Sequence, residues 1–355
     1  MQSEIQQIEG DRQALIFALG CLWAGWRSAA LERLSSSARG KVMARRWSGA
    51  LGEPRTIGIA CAVAATLLGL FHLVAAGAPA RYVVVNLAAL ALGLVALGIV
   101  DKAALNDRKS SGRAVLPLGA SLLATAWFGA SADGASRWIW IGPLSVQVSL
   151  VLLPFMLVRF AARRDRASTA GIALAAFALA IQPDRAMAGM LALGLAALAT
   201  ARRDVFSVTA LIAALAAFAV TLVRPDNLPA VPFVDQVMFT AFSVHKPAGA
   251  AVLLGLCLLV VPAVAGRLRD PVNGGAYWVF GAIWTGIIAA AALGNYPTPV
   301  VGYGGSAILG YVLSLSVFPP RGGHRRSSAA ERIRAGDGRA QDHVTRTCAA
   351  AVTGQ

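Results

Sequence analysis

Residues 57–100 read IGIACAVAATLLGLFHLVAAGAPARYVVVNLAALALGLVALGIV and contain one formally charged side chain, Arg81. A helix rises about 1.5 Å per residue, so about 20 apolar residues cross a hydrocarbon layer about 30 Å thick. The stretch is therefore two crossings, 57–77 and 82–100, turned at Ala78-Pro79-Ala80-Arg81. Working outward, the same ruler marks 114–130, 143–160, 169–182, 187–201, 205–223, 236–265, 276–293 and 298–318, which makes ten. The fifth and sixth are short and joined by Gln182-Pro183-Asp184-Arg185, so they read either as two crossings or as a kinked hairpin. Across all 355 residues, 57% are hydrophobic and only 14% charged. A soluble domain carries about a quarter charged residues, so that class is excluded. The expected fold is all-α: a polytopic integral membrane protein of about ten transmembrane helices.

Charge gives an independent test. Thirty-two Lys and Arg against 17 Asp and Glu leave a net +15. The basic residues sit in short clusters between apolar runs, which is how a membrane protein fixes its orientation, so no nucleic-acid partner is expected. With the N-terminus cytoplasmic, 27 of the basic residues fall in cytoplasmic segments, four (Arg81, Arg137, Arg185, Arg224) in external ones, and Lys246 inside the eighth span. A wrong span count would scramble that alternation. Both termini are thus expected in the cytoplasm of a multi-pass protein of the bacterial inner membrane.

Three regions follow. Residues 1–55 form a cytoplasmic N-terminal part, in which 14–35 have an apolar stretch too short to span, read as a helix lying on the bilayer or docking a partner. Residues 56–318 form the ten-helix domain. Residues 319–355 are rich in Arg, Gly, Ser and Ala without apolar periodicity, a basic tail expected to be disordered. Cys21, Cys61, Cys257 and Cys348 have no paired spacing, so neither disulfides nor a metal centre is read from them. No cofactor is expected, with a divalent cation left open. The opening MQSEIQQIEGDRQ is polar and acidic and lacks the basic leader of a secretory signal.

Ionisable groups at membrane depth and polar loops between spans are costly there, so they mark candidate function. Four places stand out. Gly134-Ala135-Ser136-Arg137-Trp138-Ile139-Trp140-Ile141-Gly142-Pro143, followed by Ser145, Gln147 and Ser149, sets Arg137 and Trp138 on the outer side. This is either an interfacial aromatic belt or a site in which Arg137 holds a phosphate or carboxylate. Gln182-Pro183-Asp184-Arg185 is either a substrate-facing turn or a plain one, with Asp184 capping the next helix and pairing with Arg185. Tyr303-Gly304-Gly305-Ser306 at the outer end of span ten offers backbone amides to a ligand or simple close packing. Asp235 stands at the external mouth of span eight, as a catalytic carboxylate or an N-cap. His245 and Lys246 follow as intramembrane polar residues, Lys246 about 16 Å deeper near the bilayer centre, with Pro247 bending the helix.

Taken in order, these places resemble the SEDS family (shape, elongation, division and sporulation), which includes FtsW, RodA and SpoVE. Gly134 to Ile139 with Gly142, Ser145, Gln147 and Ser149 is similar to that family's G-x-x-R-W-I…G…S-x-Q-x-S stretch. Gln182-Pro183-Asp184 is similar to its Q-P-D turn, and Pro299 with Tyr303 to Ser306 to its P-x-x-S-Y-G-G-S-S stretch. Asp235 falls where the family has the aspartate thought to be catalytic. The resemblance covers roughly 57–318 and implies ten spans with cytoplasmic termini and a role in cell-wall synthesis during cell division or cell shape. It also implies glycosyltransferase activity on lipid II, a lipid-linked peptidoglycan precursor, and a class B penicillin-binding transpeptidase as partner. On that resemblance Asp235 is the catalytic residue, and Arg137, Trp138, Gln147, Asp184, Arg185, Tyr303, Gly304, Gly305 and Ser306 bind substrate.

The chain departs from the pattern in several places. Leu150 replaces a glutamate, Gln236-Val237-Met238 follows the aspartate, and the external segment before it is cut to 224–234. A non-catalytic relative that binds precursor or transpeptidase, and a transporter using Asp235, His245 and Lys246 as a relay, are the alternative readings. Reporter fusions at Asp107, Arg164, Arg203 and Arg269 are expected to read cytoplasmic, and fusions at Gly134, Arg185, Asn227 and Asn295 external. Two reversed sites would overturn the ten-span count.

Overall fold

The structure, a computed structural model, describes residues 53–106, 114–132, 135–142, 144–224, 229–270 and 273–318. The N-terminal interfacial helix and the C-terminal tail lie outside the described residues. Pro54 opens α1 (Pro54–Ala75), where its fixed φ and missing N–H suit the first turn. Then come α2 (Ala80–Asn106), α3 (Val115–Phe128), a sheet of β1 (Ala130–Ala132), β2 (Ala135–Ile141) and β3 (Leu144–Gln147), and α4 (Val148–Ala162). The second half holds α5 (Arg166–Ile181), α6 (Arg185–Ala201), α7 (Val205–Leu222), α8 (Val237–Val244), α9 (Lys246–Arg269), α10 (Gly274–Leu293) and α11 (Gly305–Ser314), which runs on as a 3-10 turn to Val317.

Every expected span therefore has a helix. Five of them are long and apolar enough to cross a membrane, and five more are shorter and apolar. Aspartates set the starts of α5, α6 and α7: the side chains of Asp165, Asp184 and Asp204 accept from the backbone N–H of Ser168, Met187 and Ser207. Arg164 pairs with Asp204 at 2.8 Å, tying the α4–α5 link to the α6–α7 link. The core runs through the bundle and includes the large buried rings of Tyr277, Phe280, Trp284, Tyr311 and Phe318, which meet edge-on or tilted between α10, α11 and the residue after it.

Three places differ from the sequence reading. The external segment between spans three and four is a three-stranded antiparallel sheet, with Trp138 opposite Gln147 and Ile141 opposite Leu144. Its Ile-Trp-Ile run suits a pleated surface, a signal masked by the surrounding helical hydropathy. Span ten begins seven residues late, because 298–304 are irregular and mostly buried. Span eight is two helices. His245 is extended and its Nδ1 accepts from Ala248 N, so it caps α9, with Pro247 in the first turn. The 24 residues of α9 cover about 36 Å and suffice to cross alone. Lys246 is thus an exposed residue at the start of α9, not one near the bilayer centre, and it is not on one continuous helix with Asp235.

Glycines set the closest helix contacts. A Cβ on Gly310 of α11 would stand 2.2 Å from the Leu150 carbonyl oxygen of α4, and one on Gly119 of α3 would stand 2.2 Å from that of Gly171 in α5. Gly98 faces open space. Gly310→Ala and Gly119→Ala should each cost about 1–3 kcal/mol by overpacking against rigid backbone, seen as a lowered thermal midpoint in detergent. Gly98→Ala should be neutral or slightly stabilising.

Candidate functional site

The motifs converge through side-chain and main-chain hydrogen bonds at the outer ends of the helices. Asp184, wholly buried, caps α6 through one carboxylate oxygen. The other oxygen accepts from Ser149 Oγ at 3.0 Å and Gln147 Nε2 at 3.2 Å. The Gln147 backbone N–H donates to Ser306 Oγ at 3.0 Å. A buried carboxylate with three donors is satisfied without a counter-ion, which explains why these polar residues tolerate the interior. Residues from three of the four sequence motifs thus form one network.

Arg137 is buried beside it. One guanidinium nitrogen donates to the Pro183 carbonyl, and the group lies 6.0 Å from the Trp138 ring centroid. Gln182 anchors the same turn to α3 through Leu122 O. Arg185 turns away from Asp184 and donates to Arg224 O at 3.0 Å, while Arg224 donates to the carbonyls of Ala180 and Ile181. The cap expected at Asp184 is present. The cations brace backbone carbonyls at helix ends.

The fourth motif joins through the segment before α11. Asp235 is buried and forms an isolated bridge with Pro297, and Thr298 N donates to Val234 O at 2.8 Å. Tyr303 N donates to Phe233 O at 2.7 Å. Asp235 is not the N-cap: Gln236, at φ 57°, takes that position, and the Val237 N–H is met by Thr298 Oγ1. One Asp235 oxygen instead accepts from Val231 N at 2.8 Å. The other has no hydrogen-bond partner among the described residues. Burial pushes the Asp235 carboxyl above the usual carboxylate range, the Val231 hydrogen bond opposing it only in part.

Tyr303 does not join Arg137 and Asp184. It stacks on Tyr82 of α2, ring centroids 3.7 Å apart, with Phe233 edge-on to Tyr82. Below this stack Asn86, fully buried, donates to Gly302 O at 2.9 Å and accepts from Gly304 N at 3.1 Å. Gly304 has φ 149°, a conformation open to glycine alone at little cost. Asn86 and Tyr82 were missed in the sequence, although an asparagine in a 20-residue apolar span is the intramembrane polar signal that marks function or a buried partner. A narrow crevice lined by Gln147, Leu150, Met187, Tyr296 and Pro297 lies between the Asp184 network and the segment that holds Asp235. Leu150, at the place of the expected glutamate, makes its wall apolar. Among the described residues no group of three or more His, Cys, Asp or Glu is placed to hold a metal ion.

No protein-family model and no curated protein matches the chain. Among solved structures it is similar to the rod shape determining protein RodA of Thermus thermophilus, with a TM-score of 0.53 and 19% identity over 74% of this chain and 94% of that one. A mutant of the same protein also matches, with a TM-score of 0.49 at the same identity and coverage. The chain therefore has a RodA-like polytopic membrane fold.

The Asp184 network is open to test. Asp184→Ala removes the cap, worth about 1 kcal/mol, and strands two buried donors at about 1–3 kcal/mol. Its thermal midpoint in detergent should fall well below that of Ser149→Ala, which removes a single donor. Equal midpoints would show that losing the cap and both donors' acceptor costs no more than losing one donor, and would overturn this account.

Proposed function

We propose that this chain is a divergent SEDS-type protein of the bacterial inner membrane that acts in peptidoglycan synthesis, polymerising glycan strands from lipid II with Asp235 as general base. Asp235 carries the reading. It is a buried carboxyl at the external mouth of the bundle, with one oxygen fixed by Val231 and the other without a hydrogen-bond partner among the described residues. Glycosyl transfer needs a group that takes the proton from the acceptor sugar hydroxyl as its oxygen attacks the anomeric carbon and the bond to the pyrophosphate breaks. A carboxyl lifted above its ordinary range is closer to the neutral pH at which a base works best. The RodA-like fold and the order of the motifs support the same reading.

In this proposal Arg137, Arg185 and Arg224 supply positive potential on the side where the pyrophosphate leaves. Gln147, Asp184 and Ser306 position the binding surface, and Tyr303 with Gly304 and Gly305 holds the segment that fixes Asp235. A class B penicillin-binding transpeptidase is the proposed partner. The short external segment 224–234 favours a second reading, a non-catalytic relative that binds the precursor or the transpeptidase. The relay reading has no support of this kind, because His245 spends its Nδ1 as the cap of α9 and Lys246 is exposed at the start of that helix.

Purified protein in nanodiscs with labelled lipid II, with and without the transpeptidase, separates these. Asp235→Asn keeps shape but accepts no proton, so polymer formation should fall about 100-fold or more with unchanged membrane insertion. The active form is the ionised one and the carboxyl titrates high, so wild-type activity should fail as pH drops at a value above the ordinary aspartate range near 4. The residual activity of the Asn variant should lack that acid limb. Wild-type protein that makes no polymer with any partner, with an Asn variant that complements fully in cells, would leave the non-catalytic reading.

A further inference from the structure

The helices on either side of the external sheet are short. α3 has 14 residues and α4 has 15, or about 21 and 23 Å. A hydrocarbon layer of about 30 Å leaves each about 7–9 Å short. At the outer end of α3, Trp127 is 66% and Phe128 89% exposed. The β2–β3 tip carries Ile139, Trp140, Ile141 and Leu144, all exposed, with Trp140 and Ile141 at 62%. No charged residue occurs from Ile139 to Val146. Gly142, at φ 59°, makes the turn between the strands.

The other end of the sheet is held by protein. Arg137 points inward to Pro183, and the Gln147 backbone is bound to Ser306. A Cβ on Gly129 would come within 3.2 Å of the Trp138 carbonyl oxygen, so the hairpin starts in contact with the end of α3. The base of the hairpin therefore adjoins the exposed end of α3, and its apolar tip projects from there.

We infer that the β2–β3 tip is an outer-leaflet anchor, seated at the headgroup boundary with lipid as its partner. In water, six large apolar side chains would stand unshielded. In the hydrocarbon core, the unpaired edge amides of the sheet would have no acceptor. The boundary satisfies both, and tryptophan is the residue that favours it. The anchor extends the apolar height of the two short spans and fixes the bilayer level at which Arg137 and Gln147 sit. It does not depend on the catalytic reading.

A nitroxide on Ile141→Cys, with Cys21, Cys61, Cys257 and Cys348 replaced by Ala, reports its environment in phosphatidylethanolamine–phosphatidylglycerol nanodiscs. Oxygen should relax it more strongly than a water-soluble nickel chelate. Labels on Leu254→Cys, exposed along α9, and Ala230→Cys, in the external segment, give the lipid and water limits. Chelate accessibility equal to Ala230 places the tip in water and overturns the anchor. Protection from both relaxants shows a protein cover and also overturns it. In a chain with its native cysteines, the emission lost on Trp140→Phe should be a component that brominated lipid quenches and iodide does not. The reverse pattern contradicts the anchor.

Discussion

Backbone that leaves the helical hydrogen-bond ladder inside a membrane protein must find its partners within the protein, because lipid offers none. The segment 297–304 meets that demand in an unusual position. It dips between α1, α2 and α9: a Cβ on Gly69 would fall 2.6 Å from the Val301 backbone, and one on Gly255 would fall 2.5 Å from a Val301 methyl. Several of the polar groups it brings down have partners from other elements. Val234 and Phe233 carbonyls accept from Thr298 and Tyr303, and both ends of the Asn86 amide serve Gly302 and Gly304. The position of Asp235 follows from that accounting, since the strand-like bridge at Pro297 is one of the answers.

The candidate site thus has two neighbourhoods joined by one stretch of chain. Ser306 ties its later end to Gln147, Ser149 and Asp184, while Pro297 to Tyr303 tie its earlier end to the Asp235 turn. Most of the participants lie at helix termini or in connections. Sites built this way keep precision when the supporting residues are themselves locked, which the capping of α6 by Asp184 and the close fit of Gly310 on Leu150 provide. The external arginines fit the same logic, spending donors on helix-end carbonyls that have no intrahelical partner.

The number and order of the spans were legible in the sequence because hydropathy over about 20 residues and the segregation of basic side chains are both consequences of the bilayer itself. The motifs were legible as places, and Asp184 as a cap. The rest was hidden for physical reasons. A run such as Phe239 to Val260 looks continuous in hydropathy, yet His245 breaks it, because an extended residue whose side chain caps the next turn costs no apolar character. The sheet at 130–147 carries the same residue types as an interfacial belt. Which polar side chains meet across the bundle, as Asn86 meets Gly304 over 218 positions, depends on packing that no local pattern encodes.

Those sequence separations bear on how the protein is made. The Asn86 amide in α2, the Gln147 main-chain N–H ahead of α4 and the Val237 N–H of α8 find their partners only when the last segment, 298–306, has been made. Until synthesis reaches Ser306, the Gln147 main-chain N–H and the Asn86 side-chain amide lack these partners, and the Asp235 turn has no Pro297 to pair with. Early helices can insert and pack as they emerge, but the outer mouth closes late, in a step dominated by non-local contacts. A nascent chain stalled before residue 297 therefore holds the Asp184 hydrogen bonds but lacks the bridge that fixes the Asp235 turn and the groups that meet Asn86.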